Sequence, residues 1–353
     1  MLITGGKMAG RPATPREGWL HILNDEDVVE IENALQVAAR AGKALLNLRR
    51  EDFPLPTLGP RLRQISAGLE TGQGFAVVRG LPVESRSEED ARLICWGLGL
   101  HLGVALVQKS DDSLIVDVRD TGRQTSELRR HDSNMDINFH VDSCDVVALL
   151  CRRTAMEGGA SLLTSSLAVR DEIARLRPHL LEVLEAPLPF AAVGPAARDG
   201  QPFFLSPVFG GDREDFTSRF YGARIRAVRG MAGAPELTAE QLEAVDLIDK
   251  IAADPNLSCE LDFQPGDLQL VNNHLVYHAR TAFTDHPDPD RRRHLLRLWL
   301  AVPDSRRLPE TFREAWGRVE PGVVRGGVLS WQLRRNEAGR YQREQARELG
   351  MLV

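Results

Sequence analysis

Residues 266–280 read Gly266-Asp267-Leu268-Gln269-Leu270-Val271-Asn272-Asn273-His274-Leu275-Val276-Tyr277-His278-Ala279-Arg280. A Gly-Asp turn launches an apolar strand that delivers His278. His274 and His278 share strand parity, so the pattern lets either ring face inward. Further strands are expected on both sides of this stretch. They cover 74–80, 113–120, 145–151, 160–165, 203–209, 220–228, 259–263 and 294–302. Helices are expected from Asn24, over Leu58–Leu69, from Ser87 to about Leu100, over Leu167–Leu176 and His179–Leu184, over Leu237–Ala252 and near Pro309–Trp316. Ser87 with Asp90, and Thr238 with Gln241, have capping-box spacing. A polar, arginine-rich tail finishes the chain. The strands do not alternate strictly with helices, as a βαβ sheet requires. An antiparallel jelly roll with helical decoration therefore fits better than a doubly wound sheet. The expected class is α+β or mainly β. The glycines of GGKMAG and GQGFAV lack the spacing of a P-loop or dinucleotide fingerprint.

Composition narrows the function classes. The chain has 353 residues, 42% of them hydrophobic and 27% charged, with a net charge of −6. That length allows one large or two modest domains, and the composition is that of a globular protein. Residues 1–17 mix Gly, Pro and charge without period and read as a flexible tail, leaving 18–353 as one domain. The lysines are Lys7, Lys43, Lys109 and Lys250, so nearly all positive charge is arginine and each arginine needs a positional argument. An acidic chain carries no global nucleic-acid footprint, and the Arg291-Arg292-Arg293 run sits at a strand start. Cys95–Val107 is the longest apolar-looking run and is too short to span a bilayer, so no membrane role is expected. The N-terminus lacks a continuous apolar core for a signal peptide. Cys95, Cys144, Cys151 and Cys259 form no CxxC pair, which fits a reducing, cytoplasmic setting.

Three features point to chemistry. Asn138-Phe139-His140-Val141-Asp142 contains an HxD, and in an extended segment His140 and Asp142 share a face. His278 ends the stretch quoted above. Arg293 and Arg297 fall on one face of an apolar strand, together with Leu295 and Trp299. A buried guanidinium is costly unless it meets an anion, and its fork matches a carboxylate. Together, His140, Asp142 and His278 make a two-histidine, one-carboxylate set suited to non-haem Fe(II). Asn138 and Phe139 precede the first ligand and are candidates to line a substrate pocket.

HVDSCDVVALLCRRTAMEGGASLLTSS, FQPGDLQLVNNHLVYHARTAF and RRRHLLRLWLAVP resemble, in that order, segments of the taurine dioxygenase-like (TauD/TfdA) family. The resemblance covers about 74–303. It implies a double-stranded β-helix (jelly roll) core with N-terminal helices and helical insertions. It implies Fe(II) as cofactor, with 2-oxoglutarate and O2 as co-substrates. It places the iron ligands on His140, Asp142 and His278. The family's Gly-Gly-x-Thr segment falls on Gly158-Gly159-Ala160-Ser161, with Ser161 in place of the threonine and Thr164 as a fallback. Arg293 matches the arginine that pairs with the distal carboxylate of 2-oxoglutarate. Arg297 matches a second arginine that meets either the co-substrate or an anionic substrate. The implied reaction hydroxylates an unactivated C–H bond of a small, anionic or amino-acid-like molecule, with release of succinate and CO2. The resemblance also admits a homo-oligomer. Two rivals stand beside it: a zinc-type hydrolase on the same His/Asp/His ligands, and a non-catalytic jelly roll that binds a carboxylate.

Overall fold

A computed structural model describes residues 18–123, 131–192, 202–213, 215–328 and 336–353. The expected tail, 1–17, lies outside these residues. The N-terminal part is helical. Asn24 caps the helix Asp25–Ala41 with a reciprocal capping box to Asp27, and three acidic residues sit in the first turn, where the helix dipole favours them. Leu58–Gly68 and Glu88–Leu102 follow, the latter capped by the Ser87 hydroxyl. Thr238 and Gln241 form both halves of the box that opens Ala239–Ala252.

Two sheets carry the core. The larger has seven strands, in the order Leu20–Ile22, Phe75–Arg79, Leu268–Asn272, Val146–Arg153, His294–Ala301 and Val104–Ala105, with Ile115–Val118 also paired to His294–Ala301. The smaller has four, in the order Ser258–Leu261, Ser161–Ser165, Val276–Arg280 and Ile137–His140. All the strand pairs of the smaller sheet are antiparallel. In the larger sheet only Leu20–Ile22 pairs in parallel. Register decides which side chains meet. Val116, Arg297, Leu149, Gln269 and Val77 are paired in turn across five strands, so they share one face. In the smaller sheet Leu163, His278 and His140 form one such row, and Ser161 lies opposite Arg280. The Ser161 hydroxyl donates to Gln269 Oε1 at 3.0 Å, which joins the two faces.

Two segments differ from the sequence expectation. The stretch 220–228 was expected as a strand; it contains the helix Gly222–Arg226. Tyr221, Ile225 and Val228 recur at i, i+4 and i+7, a helical period that a short β-prone stretch conceals. The arginine-rich tail contains the helix Glu337–Glu348. Its buried face is partly polar. Gln345 Nε2 donates to the carbonyls of Leu100 and Gly103, and Gln342 Nε2 to that of Ala105. The Tyr341 hydroxyl accepts from Ala105 N. These groups satisfy the free carbonyls where the helix Glu88–Leu102 ends. Among the described residues, no helix is long and apolar enough to cross a membrane.

Gln345→Leu keeps the volume but strands two buried carbonyls. It should lower unfolding stability by about 1–3 kcal/mol in urea denaturation. An unchanged midpoint would remove Gln345 from this role.

Candidate metal and carboxylate site

His140, Asp142 and His278 come together between the sheets. Each offers a ligand atom, and these atoms lie within 4.8 Å of one another. Asp142 Oδ1 is 3.9 Å from His140 Nε2, and Asp142 Oδ2 is 3.7 Å from His278 Nε2. The imidazole centroids are 4.3 Å apart. Both histidines come from facing positions of adjacent strands, and Asp142 lies two residues beyond His140.

The surroundings prepare these atoms for a cation. His140 Nδ1 donates to the Asn138 carbonyl at 2.8 Å, which leaves Nε2 with its lone pair. Burial, then the neighbouring His278, pushes the His140 ring down to about 3, so it is neutral at pH 7. Burial alone would raise the Asp142 carboxyl. The Arg297 guanidinium, 3.5 Å away, and the His278 and His140 rings together override it and hold the group well below the usual carboxylate range. Asp142 Oδ2 is buried and accepts no hydrogen bond. A buried carboxylate oxygen left open beside two imidazoles is a donor set that a divalent metal satisfies.

Asn273 holds this set in place. Its Oδ1 accepts from Asp142 N at 2.9 Å, and its own N donates to the Asp145 carbonyl. His274, the other histidine of matching parity, sits in the turn and serves elsewhere. Its Nε2 is 2.8 Å from Asp145 Oδ1, and its Nδ1 is 3.1 Å from Thr217 Oγ1. The turn at 273–275 breaks the strand parity that the sequence suggested.

One cavity touches His140, Asp142, His278, Ser161, Arg293 and Arg297. Arg293 is buried, with its Nη1 lacking any hydrogen-bond partner. Burial pushes its guanidinium down to about 10. It stacks on Phe283 and leans against Gly159. A Cβ at Gly159 would lie 2.9 Å from Arg293 Nε, and φ there is +74°, so only glycine fits comfortably. Arg297 spends its Nε on Gln108 Oε1 at 2.8 Å and turns the fork toward Asp142. Thr164 faces away and donates to the Leu257 carbonyl. Asn138 is exposed, with its carbonyl on His140, and Phe139 is packed into the core. Neither borders the cavity. His131 does, and so does Arg280, which the sequence analysis did not single out. Its signal was the shared parity with His278 two residues earlier.

Two other places invite comparison. Glu88, Asp117 and His294 also offer three close ligand atoms. Arg92, Arg119 and Arg152 crowd that group, and their guanidiniums already occupy its acids and His294. A larger groove of about 840 Å³ opens beside Trp19, Phe75 and Ser258. Its Arg79 is spent on Asp267, and among the described residues no cluster of three close ligand atoms lies there.

The chain resembles proteins whose descriptions match this chemistry. An FR-33289 synthase from Streptomyces rubellomurinus is 29% identical over 311 residues, covering 85% of this chain and 90% of the relative. A taurine hydroxylase-like protein from Stachybotrys chartarum is 29% identical over 304 residues, covering 82% of this chain and 77% of the relative. Among solved structures, an asparagine oxygenase complexed with Fe(II), 3-hydroxyasparagine and succinate superimposes with a TM-score of 0.61 at 24% identity, covering 80% of this chain and 93% of that one. The non-heme iron oxygenase OrfP, complexed with Fe, superimposes at 0.58 with 18% identity, covering 80% and 93%. These likenesses show the fold. The family model for the taurine catabolism dioxygenase TauD, TfdA family matches residues 40–299. The chain therefore belongs to the TauD, TfdA family and is an Fe(II)- and 2-oxoglutarate-dependent dioxygenase.

Proposed function

We propose that His140, Asp142 and His278 hold the iron, that Ser161 and Arg293 hold the distal carboxylate of 2-oxoglutarate, and that the enzyme hydroxylates a C–H bond of a small molecule with release of succinate and CO2. One observation carries this reading. A cation-ready ligand set and a buried guanidinium with a free N–H open into the same cavity. A carboxylate is the group whose geometry and charge answer such a guanidinium. The two facing sheets are read as the halves of a double-stranded β-helix, and 18–353 as one domain.

Bound iron supplies the oxidising chemistry, and the protein supplies ligands, orientation and a dry site. His140 presents Nε2 because its Nδ1 proton is held by the Asn138 carbonyl. Asp142 stays ionised because Arg297 stands beside it. Arg297 lies 3.5 Å from Asp142, close enough to meet a carboxylate beside the ligand set, whereas Arg293 lies over Phe283 and against Gly159. The Ser161 hydroxyl, turned from Gln269 Oε1 to the carboxylate, takes the part of the family's threonine. A zinc hydrolase would leave Arg293 without a task. A carboxylate-binding module would not require three ligand atoms so close together.

Three outcomes follow from these assignments. His140→Ala should abolish Fe(II) binding and succinate release; turnover retained by this variant would remove His140 from the ligand set. Arg293→Leu should raise the 2-oxoglutarate KM by roughly 30-fold or more, the loss expected when a buried charge pair loses one partner, and an unchanged KM would move that role to Arg297. Asn273→Ala should weaken Fe(II) affinity by about 10–100-fold, the usual effect of removing a group that orients a ligand. Wild-type affinity in a metal titration would show that Asp142 needs no such support.

A further inference from the structure

Arg219 and Arg224 lie beside the metal ligands and belong to no part of the account above. The segment Thr217–Tyr221 is extended, so Thr217, Arg219 and Tyr221 point to one face. Thr217 reaches His274, Arg219 Nη2 donates to Ser143 Oγ at 3.1 Å, and the Tyr221 ring lies 4.9 Å from that of His140. Ser143 directly follows the ligand Asp142. One helical turn on, Arg224 stacks 5.3 Å from the centre of the Tyr221 ring. Two guanidiniums thus flank the segment that carries His140 and Asp142, through Ser143 and Tyr221, although neither borders the cavity that His140 and Asp142 share.

Both are in an unusual state. Arg219 is 6% exposed, and its Nε and Nη1 have no hydrogen-bond partner. Arg224 Nε is buried and equally unpartnered. Burial, and then the like charge of Arg224, pushes Arg219 down to about 9. Burial also lowers Arg224, for which Asp142 is the nearby acid. Phe204 and Trp316 flank the Arg219 guanidinium at 5.0 Å each, stripping water from its faces while its edge stays free. Arg325 shows what a structural arginine does here. It is fully buried, and it spends Nε on Asp145 and its two other nitrogens on the carbonyls of Glu320 and Arg306. A buried cation beside a half-buried one, both with unpartnered N–H groups, is costly without an anion between them.

We propose that Arg219 and Arg224 form an oxyanion subsite that holds the acidic group of the primary substrate (a phosphonate, sulfonate or carboxylate) beside the iron ligands. This rests on the dioxygenase reading, because it places a substrate next to that metal. Arg293 and Arg297 then remain with 2-oxoglutarate. The substrate is fixed by its charged end, and its chain is presented to the metal from the Tyr221 side.

The test is anaerobic calorimetry on the full chain loaded with Fe(II) and 2-oxoglutarate. The probes are propylphosphonate, propanesulfonate and butyrate, with butanamide as the neutral control. At least one anion should bind saturably and butanamide should not, and the tightest anion identifies the group. Arg224→Gln should weaken that binding 10-fold or more while 2-oxoglutarate affinity stays within twofold. Arg219→Lys, which keeps the charge in the aromatic cage but not the fork, should weaken it as well. Equal anion affinity in wild type and both variants would overturn the subsite, as would no anion binding or binding only in competition with 2-oxoglutarate. If the wild-type protein fails to take up Fe(II) and 2-oxoglutarate at all, the dioxygenase reading itself falls and the subsite falls with it.

Discussion

The structure depends on one cross-strand pairing. His278 lies opposite His140, with Leu163 on its other side. That register puts both imidazoles on the inner face of the smaller sheet. A one-residue slip would turn the whole row outward. Asp142 completes the set only because the chain leaves its strand after His140 and is caught by Asn273, from the turn that starts the His278 strand. The same turn therefore sets His278 and fixes the Asp142 backbone. On the opposing sheet, the row through Arg297, Leu149 and Gln269 closes the space. Ser161 bridges the two faces through Gln269.

Charge is distributed in this space with a consistent logic. Asp142 is kept ionised by Arg297 although it is buried. His140 is kept neutral by burial and by its neighbour. Each is thereby in the protonation state that binds a divalent cation. Away from the metal, Asp145 gathers His274 and Arg325 into a fully buried network that ties the segment after Pro303 to the ligand turn. There, charges are paired and hydrogen bonds are complete. Around the proposed metal site they are not, at Arg293, Arg219 and Arg224. At a buried guanidinium, such incompleteness marks a place where an anionic ligand completes the structure.

The convergence of His140, Asp142 and His278 was legible because its cues are local. An i, i+2 spacing in an extended segment fixes a shared face, and His278 lies in an apolar strand of clear parity. The facing arginines were legible for the same reason, since Arg293, Leu295 and Arg297 all border the cavity. What remained hidden is carried by distant pairs or by polar burial. Asn273 stands in a turn of its own strand pair, yet its partner Asp142 is 131 positions away. The helix Glu337–Glu348 buries glutamines rather than leucines, so a hydrophobic pattern passes over it. Arg219 and Arg224 could not be told from the many other arginines until their missing partners were visible. The helix at Gly222–Arg226 was obscured because five residues give too little periodicity to outweigh β-prone side chains.

The most direct measurement is anaerobic addition of Fe(II) and then 2-oxoglutarate to the metal-free protein, followed by visible absorption. The account predicts a charge-transfer band that requires both additions and saturates at one equivalent of each. Metal uptake with no response to 2-oxoglutarate would contradict it, because His140, Asp142 and His278 would then form a metal site with no place for the co-substrate beside it.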